Sequence, residues 1–171
     1  MEAVVRTCRS GICSAEVAYI ISNRAEAYAI ERAKKLQIPC AILKTEREII
    51  DFLEKDRVDM ICLAGFMKIL SPDFVRRFSG KIINIHPSIL PAFPGLHSIR
   101  QALRAGAKET GVTVHWVDEG VDTGPIVLQE VVPIAPNETE ETLTEKIHAV
   151  EHRLYPQAIQ KVLINFHLPN V

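Results

Sequence analysis

Asn84 and His86 stand two residues apart at the end of an apolar run, Ile82 to Ile85. A third polar residue, Asp122, lies in the segment Asp118-Glu119-Gly120-Val121-Asp122-Thr123-Gly124-Pro125. Successive side chains of a strand alternate faces, so Asn84 and His86 can project to the same side. A carboxamide that donates hydrogen bonds and an imidazole that donates or accepts them make an oxyanion-stabilising pair. A carboxylate at Asp122 could orient the imidazole and favour its charged form. This set suits polar chemistry on a small carbonyl-type group. Each residue alone also has a plainer role. Asn at a strand end forms turns, a single His is usually a satisfied polar residue, and Asp before Thr-Gly-Pro caps its own turn.

The elements that must position these residues alternate between strand-length apolar runs and amphipathic stretches, which predicts an α/β fold with an open, mostly parallel twisted sheet and flanking helices. After a helix-like opening from Glu2 to Arg9, Val17 to Ile21 reads as a strand, Ala25 to Leu36 as a helix and Cys40 to Leu43 as a short strand. Thr45 and Glu48 have the spacing of a capping box, which opens a helix to about Lys55. Met60 to Leu63 is the next strand, followed by Ala64-Gly65. Ser71-Pro72-Asp73 starts a helix that runs to about Phe78. Ile82 to Ile85 then delivers Asn84 and His86 at a carboxyl end, where ligands of such sheets bind. The segment from His86 to His97 holds Pro87, Pro91 and Pro94 and is too apolar for a disordered tract, so it reads as an ordered loop. Ser98 to Ala105 reads as a helix, Gly111 to Val117 as an alternating strand, and Ile126 to Val132 as another strand. The stretch from Glu140 to about Phe166 is a long helix that Pro156 should kink or divide.

The chain has 171 residues and 47% hydrophobic content, which fits one domain spanning 1–171. Lys and Arg number 20 against 21 Asp and Glu, so no net field draws in nucleic acid or an anionic membrane. No apolar run approaches the ~20 residues of a membrane span, and no secretory leader is recognisable, so a cytoplasmic location is expected. Cys8, Cys13, Cys40 and Cys62 lack C-x-x-C spacing and read as buried, reduced thiols rather than bridges or a metal site. Asn137-Glu138-Thr139 matches a glycosylation sequon, but Thr139 reads better as a helix N-cap.

The run from Asn84 to His97, Asn-Ile-His-Pro-Ser-Ile-Leu-Pro-Ala-Phe-Pro-Gly-Leu-His, resembles the signature of the folate-dependent formyltransferases. Pro94-Gly95-Leu96-His97 is similar to the branch that acts on glycinamide ribonucleotide. The resemblance extends through Leu63 to Pro72, Gly111 to Pro125 and Glu151-His152-Arg153-Leu154-Tyr155-Pro156, covering nearly the whole chain. It implies a Rossmann-like formyltransferase fold and transfer of a formyl group from 10-formyltetrahydrofolate to the amine of glycinamide ribonucleotide, a step of purine synthesis, without a metal. It implies Asn84, His86 and Asp122 as catalytic residues. It also implies a folate pocket of Met67, Lys68, Ile69 and Leu70 beside Asn84, closed over by Asp118, Glu119, Gly120, Val121 and Asp122, with Arg47 near the glutamate tail. Gly65, Pro87 and Glu151 would meet the ribonucleotide. The competing roles are core packing for Met67 to Leu70 and a solvated helix face for Glu151.

The family pattern normally opens with a strand and a Gly-Ser-Asn type loop that grips the ribonucleotide phosphate, and neither precedes Glu2 here. The expectation is a longer complete protein, with about fifteen more N-terminal residues forming that strand and turn; the alternative is a genuine variant that no longer binds this phosphate. Three other activities compete: a formyltetrahydrofolate hydrolase, a formyltransferase for another acceptor, and a non-catalytic folate-binding protein. The near-neutral charge disfavours a tRNA acceptor, the chain is short for the added domains of its relatives, and a homodimer is left open.

Overall fold

The computed structural model describes residues 1–167, with side chains described to residue 164. The chain divides into two compact units, Met1–Ile61 and the part from Cys62 onward.

In the first unit, α1 (Glu2–Arg9) precedes β1 (Ile20–Ser22), α2 (Tyr28–Lys35), β2 (Cys40–Ile42) and α3 (Glu46–Lys55). β1 and β2 are parallel, with Ile20 opposite Cys40 and Ser22 opposite Ile42. β1 starts later than the run of apolar residues suggested, because pairing begins where Ile20 N donates to Pro39 O at 2.9 Å. α2 also starts late. Arg24 to Ala27 close a turn first, and Ala27 then accepts from Ile30 N. The capping box of α3 is complete: Glu48 N donates to Thr45 Oγ1 at 3.2 Å, and Thr45 N donates to Glu48 Oε2 at 2.9 Å. α3 buries Ile50 and Leu53, four-fifths of a turn apart on its inner face.

In the second unit the sheet order is β3 (Ile61–Leu63), β4 (Ile82–His86), β5 (Glu109–Trp116), β6 (Ile126–Pro133). Helix α4 (Pro72–Arg77) lies between β3 and β4 in sequence, α5 (Ser98–Arg104) between β4 and β5, and α6 (Glu140–His167) follows β6. β4–β5 and β5–β6 are antiparallel. The short connection between β5 and β6 leaves no room for a crossover helix, so these strands must turn back on each other. The α/β architecture with flanking helices is therefore as read, with a parallel pair in the first unit and antiparallel pairs where the chain reverses.

β5 is buried along almost its whole length. Val112 and Val114 are fully buried on one face, and Thr113 and His115 are equally buried on the other. The alternation marks a central strand whose polar residues point into a covered site. A register shift between Val114 and His115 leaves Val127 of β6 between the partners Leu128 and Ile126.

α6 packs on β5, β6 and α5. It buries Leu143, Ile147, Leu154, Tyr155, Ala158, Ile159 and Val162. Pro156 does not divide it: the helix is continuous from Glu140 to His167. Proline removes one backbone donor, but the buried residues on both sides of it keep the two halves on the same apolar surface. The Tyr155 hydroxyl lies 2.7 Å from Leu63 O and 3.2 Å from Ile83 O, so one proton is shared between the backbones of β3 and β4. Thr139 caps α6 through Thr142 N at 3.2 Å.

None of the four cysteines forms a disulfide, and only Cys13 is buried. Cys8 on α1 and Cys40 on β2 are half-buried and Cys62 on β3 is exposed, which corrects the expectation of buried thiols: the three-residue strands β2 and β3 leave Cys40 and Cys62 partly uncovered. Among the described residues, no helix is long and apolar enough to cross a membrane.

Candidate active site

β4 carries Asn84 and His86 to its carboxyl end on one face. The antiparallel register sets His115 of β5 opposite Asn84, and Thr113 opposite His86. Paired residues of neighbouring strands share a face, so four polar side chains form a square on the sheet.

Asp122 comes from the β5–β6 connection with a left-handed backbone, φ +56°. Its carboxylate lies between two imidazoles. Oδ2 is 3.3 Å from His86 Nδ1, and Oδ1 is 3.6 Å from His115 Nε2. Oδ2 also accepts from Gly95 N at 2.7 Å. The carboxylate is largely covered, with 12% of its side chain accessible.

The two histidines are held differently. His115 Nδ1 lies 2.8 Å from Trp116 O and must donate to it. Burial pushes the His115 imidazole below its ordinary pKa of 6.5, against the pull of the Trp116 carbonyl and Asp122. A neutral ring protonated at Nδ1 leaves a lone pair on Nε2, which accepts from Asn84 Nδ2 at 3.2 Å. The Asn84 carboxamide is thereby oriented, with one N–H and its carbonyl still uncommitted within this network. His86 faces acceptors at both nitrogens: Asp122 at Nδ1, and Phe93 O at 3.0 Å from Nε2. Two acceptors suit a doubly protonated ring.

The proline-containing loop from Pro87 to His97 is ordered by side chains rather than by a ladder. Thr113 Oγ1 donates to Ser88 O at 2.7 Å and accepts from Leu90 N at 3.1 Å. Gln129 Nε2 donates to Thr113 Oγ1 at 2.8 Å and to Leu90 O at 3.0 Å. Ser88 Oγ donates to Ala92 O, Ser98 Oγ to Pro87 O, and Gln101 Nε2 to Pro94 O and Leu96 O.

The connection from Asp118 to Asp122 is organised by its first residue. Asp118 Oδ1 accepts from Gly120 N at 3.0 Å and from Thr123 Oγ1 at 2.7 Å. Glu119 pairs with Arg76 of α4 at 3.3 Å, and Val121 is exposed. Two glycines are required by space: a Cβ on Gly120 would lie 2.0 Å from Thr123 Oγ1, and one on Gly124 would lie 1.9 Å from Trp116 O.

The loop after β3 begins with Gly65 at φ +65° and continues through exposed Met67, Lys68 and Ile69 to buried Leu70. Core packing therefore does not explain Met67 or Ile69, which are 78% and 75% exposed. Glu151 is half-buried on α6, four residues before Tyr155, and burial raises its carboxyl pKa. It is no freely solvated helix residue. Pro87 is half-buried directly after His86. Arg47, on α3 of the first unit, is exposed and paired with Asp51 at 3.0 Å.

The structure thus brings Asn84, His86 and Asp122 together and adds His115, Thr113 and Gln129, which sequence reasoning did not single out. A signal for the first two existed: polar residues at alternate positions inside the apolar run Gly111 to Val117 mark one face of a strand.

Similarity to known proteins agrees with this geometry. A family model described as formyl transferase matches residues 1–159. The chain is 52% identical over 154 residues to the trifunctional purine biosynthetic protein adenosine-3 of Drosophila pseudoobscura pseudoobscura, covering 85% of this chain but 11% of that protein. It therefore spans about a tenth of the length of that relative. It is 44% identical over 169 residues to phosphoribosylglycinamide formyltransferase of Haemophilus influenzae, covering 94% of this chain and 80% of that one. The crystal structure of phosphoribosylglycinamide formyltransferase from Bacillus halodurans superposes with a TM-score of 0.91 at 46% identity, over 95% of this chain and 88% of that chain. With a family match over most of its length and relatives this similar, the chain belongs to the formyl transferase family.

Proposed function

We propose that this chain transfers the formyl group of 10-formyltetrahydrofolate to the amine of glycinamide ribonucleotide, in purine biosynthesis. The observation that carries this reading is the enclosed cluster of Asn84, His86, Asp122 and His115, in which two donors point from one sheet face and a carboxylate supports one of them. The names of the similar proteins support the acceptor.

In the mechanism, the substrate amine attacks the formyl carbon and the carbonyl oxygen becomes an oxyanion. The free N–H of Asn84 and the Nε2–H of His86 stabilise that charge. The oxyanion competes with Phe93 O for the His86 proton, so binding must draw the imidazole from one acceptor to the other. Asp122 holds the other side of the ring, 3.3 Å from Nδ1, and fixes its orientation. The amine then gives up a proton and the folate N10 takes one, relayed through water, as the C–N bond to folate breaks. The proton lost by the amine is the one gained by N10, and His86 and Asp122 end the sequence as they began it.

Exposed apolar side chains suit a pterin ring: Met67 and Ile69 on the β3 loop, and Val121 on the β5–β6 connection. In this reading Met67, Lys68, Ile69, Leu70 and Asp118 to Val121 line the folate site. Gly65, Pro87 and Glu151 meet the ribonucleotide, where a half-buried carboxylate gains from a hydroxyl or amine donor.

A spectrophotometric assay of formyl transfer tests this, run with glycinamide ribonucleotide and separately with water as acceptor. Turnover with the ribonucleotide is expected. Turnover with water alone would make the chain a hydrolase, and folate binding without turnover would make it a binding protein.

A further inference from the structure

We propose that Thr113 and Gln129 are positioning residues for His86, acting through the backbone of the loop that begins at Pro87. The inference deepens the reading above and rests on it for its activity readout.

His86 and Asp122 both lean on this loop. Phe93 O takes the His86 Nε2 proton and Gly95 N donates to Asp122, so the place of the loop sets where both functional groups point. A segment with Pro87, Pro91 and Pro94 lacks three backbone donors and cannot be held by a strand ladder. It is held instead from the sheet. His86, Thr113 and Gln129 are aligned across β4, β5 and β6 in one register row. Thr113 is fully buried, and its hydroxyl is saturated: it donates once, to Ser88 O, and accepts twice, from Leu90 N and Gln129 Nε2. Both Gln129 amide hydrogens are used, on Thr113 Oγ1 and Leu90 O. Leu90 therefore has its N–H and its C=O both read by side chains from other strands, three residues before the carbonyl that meets His86. A displacement of about 1 Å at a catalytic group can cost on the order of 10²-fold in rate, so a frame with this many fixed points is a sensitive control on turnover.

Three variants test this: Gln129→Met, which keeps length and loses both donors, Thr113→Val, which keeps shape and loses the hydroxyl, and Thr113→Ser, which keeps the hydroxyl. Steady-state kinetics, thermal unfolding and the 15N resonances of the His86 ring are measured on each. Gln129→Met is expected to lower kcat about tenfold, with KM for both substrates within about twofold, and to move the His86 Nε2 resonance. Thr113→Val is expected to lower kcat further, and Thr113→Ser to restore most of it. If Thr113→Val does not fold, Gln129→Met decides. A folded Gln129→Met protein with wild-type kcat overturns the proposal, as does a lowered kcat with an unmoved His86 resonance. If the wild-type protein transfers no formyl group, the reading of its function fails, and the His86 resonance in Gln129→Met alone decides the positioning claim.

Discussion

Asp122 meets two imidazoles with one carboxylate, and only one of those rings is placed to carry charge. His86 has acceptors on both sides, whereas His115 is neutral and spends its lone pair on Asn84. Asn is among the few residues that tolerate the left-handed backbone of Asp122, so Asp122→Asn removes the charge without straining the loop. Asp122→Asn and His86→Ala should each lower kcat by about 10² or more, with unchanged circular dichroism; unchanged kcat would remove them from the mechanism. His115 makes a second prediction. Its pKa is depressed in the folded state, so the unfolded chain binds more protons as pH falls below about 6.5. The stability it contributes is complete above that pH and is lost as pH drops toward its folded value. Urea midpoints at pH 7.5 and 5.5 should therefore differ more for the wild type than for His115→Gln. Asn84, His86 and Asp122 were legible in the sequence because two share a strand face and because the run from Asn84 to His97 resembles a formyltransferase signature that brings Asp122 with them. His115 was not, because its role depends on which strand lies beside β4 and in what register.

At the scale of elements, the connection between β5 and β6 shows how tightly the site is framed. Trp116 N donates to Pro125 O at 2.9 Å, and Gly124 packs directly against the Trp116 carbonyl. Gly124→Ala would push this backbone away and displace Asp122 two residues earlier. It should lower the thermal midpoint by several degrees and raise KM for the folate cosubstrate, measured by calorimetry and kinetics. The sequence placed nearly every element, because caps such as Thr45–Glu48 and Ser71–Pro72 and the apolar periods are local signals. It erred where pairing decides: β1 is cut to the length of its partner, and β5 begins two residues early because Glu109 and Thr110 pair with Pro133 and Val132. Pro156 does not divide α6, since burial along the helix outweighs one missing donor.

At the scale of the whole molecule, the family match runs through both units, while the catalytic cluster lies entirely in the second. There α6 covers β5 and β6, and through Tyr155 it also reaches the backbones of β3 and β4. Tyr155→Phe would leave two buried carbonyls short of a donor and should cost about 1–3 kcal/mol in chemical denaturation. A tyrosine buried this deeply has its pKa raised well above the ordinary value, first by desolvation, so it acts as a neutral donor throughout the working pH range. Trp116 is the single tryptophan of the chain. Its carbonyl holds the neutral histidine, and it begins the turn that carries Asp122. The protein therefore contains its own optical probe: emission from one indole, with no label and no competing fluorophore of its kind, should change when the turn closes on a ligand. Titrating either substrate while recording that emission would time the closure separately from the chemistry.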